Sequence, residues 1–302
     1  MSASTPARTP AAAPRAEPRS RRVDPGREAV EVKGRWRANR WLWLRRAVQL
    51  GILALFLAGP WAGWWIVEGN LSSSVTLEVL PLTDPFVLLQ TLFARHWPQV
   101  AAWTGVAIVL AFYLLVGGRA FCAWVCPMNM VTDAAAWTRR ALGIRSSKSP
   151  PRALRRWLLA ATLLAAAASG MAAWEWVNPV AMLHRGLLFG FGAAWAVVLA
   201  VYLYDVVVAW HGWCGHVCPQ GALYGLLGRL SVTRVSARRR SQCNDCGDCL
   251  VICPETQVIA PALKGAGNPV IVSGDCTNCG RCIDVCSRDV FRFTARFDQR
   301  SE

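Results

Sequence analysis

Histidine is scarce in this 302-residue chain, which has only His96, His184, His211 and His216. A membrane cytochrome with two haems needs axial pairs inside its spans, and none of the four is so placed, which excludes haem. No G-x-G-x-x-G follows a strand, and neither a P-loop nor a flavin-type motif is present, so no nucleotide cofactor is expected. Acidic residues are also few, 18 against 33 lysines and arginines, for a net charge of +15. No cysteine falls outside four short motifs.

Those motifs are of two kinds and use all twelve cysteines. Two have the pattern C-x2-C-x2-C-x3-C, at Cys243, Cys246, Cys249, Cys253 and at Cys276, Cys279, Cys282, Cys286. Short loops at this spacing turn four thiolates towards one iron–sulfur cubane, and in two-cluster ferredoxins the fourth cysteine of each run ligates the other cluster. That pattern assigns Cys243, Cys246, Cys249 and Cys286 to one 4Fe-4S cluster, and Cys276, Cys279, Cys282 and Cys253 to a second. Zinc fits less well, because its sites use four ligands in two C-x2-C pairs, without the further cysteines in ferredoxin register. Pro254 follows the first run, whereas Ser287 stands at the matching place in the second.

Composition divides the chain sharply. Hydrophobic residues make up 54% and tryptophan alone counts 16, yet the first 46 residues and the last 60 are polar. Four apolar stretches, 47–67, 100–116, 157–174 and 188–210, approach the roughly 20 residues a membrane helix needs. Arginine and lysine are concentrated in residues 1–46 and 117–156, while 68–99 and 175–187 hold one each, Arg95 and Arg185. The positive-inside rule then places both termini and the iron–sulfur region in the cytoplasm. The expected fold is an α-helical membrane protein of four transmembrane helices, arranged as two helix-loop-helix repeats, with a small C-terminal α+β two-cluster ferredoxin-type domain. Its expected parts are a disordered basic tail over 1–40, a membrane domain over 41–240 and the iron–sulfur domain over 241–302. Nucleic acid is not an expected partner, since the basic tail lacks any recognition motif.

The repeat is legible in two echoes. Asp84-Pro85 recurs as Asn178-Pro179, and the C-x3-C-P motif of Cys122 and Cys126 recurs at Cys214 and Cys218. Two crossings per unit give both copies one orientation, as in parallel repeats, so both cysteine pairs belong on the cytoplasmic side. Pro127 and Pro219 suit the first turn of a new helix. Three readings of these four cysteines stay open: a third metal centre, redox-active dithiols, or packing thiols.

With no nucleotide or haem, lipid-soluble quinol is the expected electron donor. Its oxidation needs a group that takes a proton near an interface, for which His184 with Asp84 is the candidate. The plainer reading makes Asp84 and Asn178 helix caps. His216, inside the second C-x3-C-P, suits a local hydrogen bond as well as a ligand role.

The combination of apolar stretches, two C-x3-C-P motifs and paired ferredoxin runs over about residues 41–290 resembles the NapH family of ferredoxin-type proteins, with its relative MauN. The resemblance implies a quinol dehydrogenase component in the bacterial inner membrane, multi-pass, passing electrons with a periplasmic NapG-like ferredoxin towards nitrate reductase, or serving methylamine utilisation in the MauN branch. The NosR and CcoG branch, which implies a maturation or copper-reducing role, shares the motifs. NosR adds a large periplasmic domain, which is not expected here.

Overall fold

The computed structural model describes residues 24–300 apart from 145, 191, 266 and 299. Residues 1–23, the greater part of the expected tail, lie outside the described residues. From Asp24 onward the tail is folded: helix α1 (Arg27–Lys33) lies against the iron–sulfur domain, where Gly26 N–H donates to Asp248 and Lys33 pairs with Asp289.

Helix α2 (Arg40–Ala62) follows and ends at Gly63 in a left-handed cap. Strands β1 (Val67–Gly69), β2 (Ser73–Thr76) and β3 (Leu80–Thr83) then form an antiparallel sheet in chain order. From there the helices follow in two series. Helices α3 (Pro85–Phe93), α4 (Val100–Val116), α5 (Ala120–Trp124) and α6 (Met128–Ala141) come first. After α7 (Leu154–Ser169) come α8 (Pro179–Phe189), α9 (Ala193–Leu203) running into a π-helical turn, a second π turn over Trp213–Val217, and α10 (Pro219–Leu227). α3 and α8 start alike. Extended Asp84 and Asn178 each accept the N–H two residues on, at 2.8 and 3.0 Å, with proline at the first helical position.

Four membrane-crossing helices are not what the chain builds. Among the described residues one helix, Arg37–Ala62, is long and apolar enough to cross a bilayer. α4 lies where a span is expected, but its 17 residues reach only about 25 Å, short of a hydrocarbon layer of roughly 30 Å. α7 stops after 16 residues at the left-handed Gly170. The stretch over 188–210 is divided, because α8 ends at Gly190 and α9 begins afresh at Ala193. Window hydropathy registers composition and misses these glycine breaks. Large apolar side chains nevertheless stay exposed, among them Trp61, Trp64, Leu115, Trp157 and Phe189.

The C-terminal domain is small and mixed, and it begins with β4 (Thr233–Ser236), which pairs antiparallel with β5 (Arg292–Ala295). Between them lie the short helices α11 (Asp248–Ile252), α12 (Ile259–Lys264) and α13 (Arg281–Asp284). Val235, Ile259, Ile283 and Phe291 fill its core beside the cysteines. The domain docks on the basic end of α2: the Asp284 carboxylate accepts from the N–H groups of Trp41 and Leu42 at 3.2 and 3.1 Å. Gly280 makes this closeness possible. Its φ is 72°, and a Cβ there would lie 2.6 Å from the Trp41 ring. Gly118 allows a similar approach between the turn after α4 and the end of α10, since a Cβ on it would meet the Gly228 backbone at 2.2 Å.

Candidate functional site

The eight ferredoxin-type cysteines gather into two crossed quartets. Cys243, Cys246, Cys249 and Cys286 line one small cavity with Leu250 and Phe291. Burial, followed by the neighbouring Cys246, Cys286 and Cys243, pushes the Cys249 thiol up to about 12. Cys253, from the first run, instead lies beside Cys279 and Cys276 of the second, and Cys282 completes that group. The crossing arises locally. Left-handed Gly247 and Gly280 each open a one-turn helix that carries the third cysteine inward, and the extended Cys253 leaves its helix towards the other run.

Both quartets suit a 4Fe-4S cluster in donor type and surroundings. Backbone N–H groups of Asp245 and Val290 donate to the sulfurs of Cys243 and Cys286 at 3.4 Å, the outer contacts that tune such centres. Burial pushes the Cys276 thiol up to about 11, so this thiol stays protonated unless cationic iron offsets the cost of ionising it. Binding then releases protons.

The C-x3-C-P cysteines, 92 residues apart in sequence, meet. Cys122, Cys126, Cys214 and Cys218 line one cavity with Trp174, Trp213 and Arg119. Pro127 and Pro219 lead into α6 and α10 directly after each pair. Gly221 N–H donates to the Cys218 sulfur at 3.4 Å, and burial, then neighbouring Cys122, pushes that thiol up to about 11. Among the described residues no group of three or more His, Cys, Asp or Glu is close enough for a single metal ion.

A buried ion network that the sequence reading missed joins this third quartet to the second. Arg119, three residues before Cys122, is 2.5 Å from Glu255 and donates to the carbonyls of Asp275 and Cys214 at 3.1 and 3.0 Å. Arg155 bridges the same Glu255 at 2.7 Å and Asp275 at 2.6 Å. Glu255 stands two residues after Cys253, and Asp275 immediately precedes Cys276. Burial alone would raise Glu255, but Arg119 and Arg155 outweigh it and hold the carboxyl below its ordinary range. The available signal was a lone arginine and a lone glutamate inside otherwise apolar, cysteine-bearing stretches.

Asp84 and His184 occupy different surroundings. Asp84 is buried, and besides capping α3 it accepts from Tyr224 Oη at 2.6 Å and Gln220 Nε2 at 2.5 Å. His184 packs edge-on against Phe56, 5.6 Å between ring centres, and its Nε2 has no partner among the described residues. His216 is buried within the second C-x3-C-P, its Nδ1 likewise without a partner among the described residues.

Burial raises Asp84 to about 6, against the opposing hydrogen bonds. Between pH 4 and 6 the folded chain therefore holds a proton that the unfolded chain has released, and stability from this residue declines as pH rises through that window. Asp84→Asn is expected to keep the cap, as Asn178 does, and to melt no lower than the parent at pH 8. Asp84→Ala is expected to cost about 2–4 kcal/mol through a lost cap and two unpaired buried donors. Thermal melts of the three proteins at pH 5 and pH 8 check both outcomes.

Comparison with known proteins agrees with this cysteine chemistry. A family profile described as a 4Fe-4S binding domain matches residues 99–145 and 187–238, and one described as a 4Fe-4S dicluster domain matches 242–290. Iron–sulfur regions thus span much of 99–290, which corrects the expected division into a four-helix membrane bundle and a small C-terminal ferredoxin-type domain. The ferredoxin-type protein NapH of Haemophilus influenzae is 48% identical over 92% of this chain and 97% of its own length. NapH of Escherichia coli gives the same identity and coverage. The methylamine utilization ferredoxin-type protein MauN of Methylorubrum extorquens is 52% identical over 89% of this chain and 94% of its own. No solved structure matches.

Proposed function

We propose, because the chain belongs to the family of NapH and MauN ferredoxin-type proteins, that it takes electrons from quinol at a membrane and passes them towards a periplasmic reductase system. The observation that carries this reading is the set of twelve thiols gathered in three quartets, two crossed and the third tied to the second through Arg119 and Glu255. When bound, each 4Fe-4S cluster takes up and releases one electron. The chain's part is to fix the thiolates, keep water out and hold the centres close.

In this reading Cys243, Cys246, Cys249 and Cys286 hold one cluster, and Cys276, Cys279, Cys282 and Cys253 a second. Cys122, Cys126, Cys214 and Cys218 hold a further iron–sulfur centre, supported by the 4Fe-4S profile that matches both segments. The apolar Arg37–Ala62 helix inserts into the bacterial inner membrane, with its arginine-rich end and the docked iron–sulfur domain on the cytoplasmic side. A NapG-like periplasmic ferredoxin is the acceptor that the family resemblance implies.

Membranes holding the chain, reduced anaerobically with quinol and followed by electron paramagnetic resonance, test the reading. Cluster signals should appear on quinol addition. Clusters that stay oxidised under quinol, yet respond to a water-soluble cytoplasmic donor, would reverse the proposed direction.

A further inference from the structure

We propose that the quinol head group binds in the cleft between the start of α2, the α6 helix and the Cys279 loop, an inference that rests on the quinol reading above. The cleft has a volume of about 450 Å³, within the range of small-ligand sites. Cys279, assigned to the second cluster, lines it directly, so a ring held there lies against the ligand shell of an electron acceptor.

Its walls combine aromatic faces with a few polar groups. Trp43 and Trp137 are 54% and 63% exposed at the rim, on and beside the helix that, among the described residues, is long and apolar enough to cross a bilayer. Tryptophan is the residue type that settles at the membrane interface. A lipid-soluble molecule thus reaches the cleft with its tail still among apolar groups.

Inside, Asp133 pairs with Arg45 and Arg46 at 2.9 and 2.5 Å, both through Oδ2, and its side chain keeps 29% exposure. Its carboxylate remains open to a quinol hydroxyl. Arg45 is 2% exposed, yet its Nε–H has no acceptor among the described residues. Such a buried orphan donor needs explaining, and a quinone oxygen in the cleft would provide its acceptor. His211 lines the same cleft with φ at 47°, a left-handed conformation that a non-glycine residue adopts at a cost and that is concentrated at functional sites.

The chemistry balances within the proposed protein. Quinol oxidation breaks two O–H bonds and yields quinone, two protons and two electrons. The acceptors would be the two oxidised clusters that the ferredoxin-type cysteines would hold, one electron each, with Cys279 the ligand that faces the cleft. The protons leave to water by way of His211 and Asp133. A purely structural cleft would not join a cluster ligand, an accessible carboxylate, an unpaired buried donor and an aromatic rim.

Photolabelling of the anaerobically purified full chain with an azido-quinone, mapped by mass spectrometry, tests the site without relying on turnover. Label on Trp43, Met130 or Trp137 that unlabelled quinone displaces is the expected result. Specific label near His184 and Phe56 instead would overturn this site and leave the quinol reading standing. No label that quinone displaces anywhere would overturn both. Displacement by phosphatidylglycerol and not by quinone would assign the cleft to a lipid head group, against the proposal. His211→Phe is expected to slow cluster reduction by quinol about 100-fold while reduction by dithionite is unchanged; equal slowing by both would count against it.

Discussion

Cys122→Ala with Cys214→Ala is expected to lower the iron of the anaerobically purified chain from about twelve atoms per molecule to about eight, at four irons per cluster. The change removes one thiol from each pair of the third quartet. It leaves the two crossed quartets their full ligand sets, because those thiols belong to a domain with its own core. Cys286→Ala should also leave about eight irons, but its missing signal should be the one lost in Cys243→Ala. These two cysteines come from different runs and share one cavity, so an identical spectral loss reports the crossing. Iron at about eight in the parent and unchanged in the double variant would exclude the third cluster. Copper at the quartet in place of iron would support the maturation role that the shared motifs also allow.

Glu255→Gln should be the most damaging change that touches no cysteine. Glu255 and Arg119 side chains are each 2% exposed and Arg155 is 6% exposed. Removing the carboxylate leaves two buried guanidinium groups facing one another, and breaking a buried pair from one side costs about 3–5 kcal/mol. A fall in melting temperature of about 10 °C is expected at a fixed scan rate in detergent. Arg119→Met with Glu255→Leu removes both charges and spares the 2.6 Å pair of Arg155 with Asp275, so it should melt above the single variant. The acid limb gives a second reading. Glu255 is held below its ordinary value of 4.5, so as pH falls below that value the unfolded chain takes a proton the folded chain refuses. Stability supplied by the network is then lost on acidification. The Gln variant should lack this component, and parallel melts between pH 3 and 7 measure it.

Much of the site was legible because its signals are local. A C-x2-C-x2-C-x3-C run constrains its own turns, and Gly247 and Gly280 adopt the left-handed conformation next to a ligand cysteine that such a run requires. Asp84-Pro85 and Asn178-Pro179 likewise carry their caps within three residues. The number of spans was not legible in this way. Hydropathy over 188–210 is continuous, yet Gly190 ends one helix and a second begins at Ala193. Arg119 and Glu255, 136 positions apart, left no periodicity or motif to read.

The sequence by itself determined that every thiol belongs to one of four motifs, that two of these have ferredoxin spacing, and that prolines restart the helices after the other two. Bond geometry over a few residues suffices for that. Only the tertiary structure decided that the paired C-x3-C motifs meet in one cavity, that Arg119 ties them to the second quartet, and that Cys279 opens onto a cleft beside α2. Those placements depend on close backbone packing, as where Gly118 meets Gly228 and Gly280 meets Trp41, and contacts between distant segments follow from how whole elements stack, which local spacing does not encode.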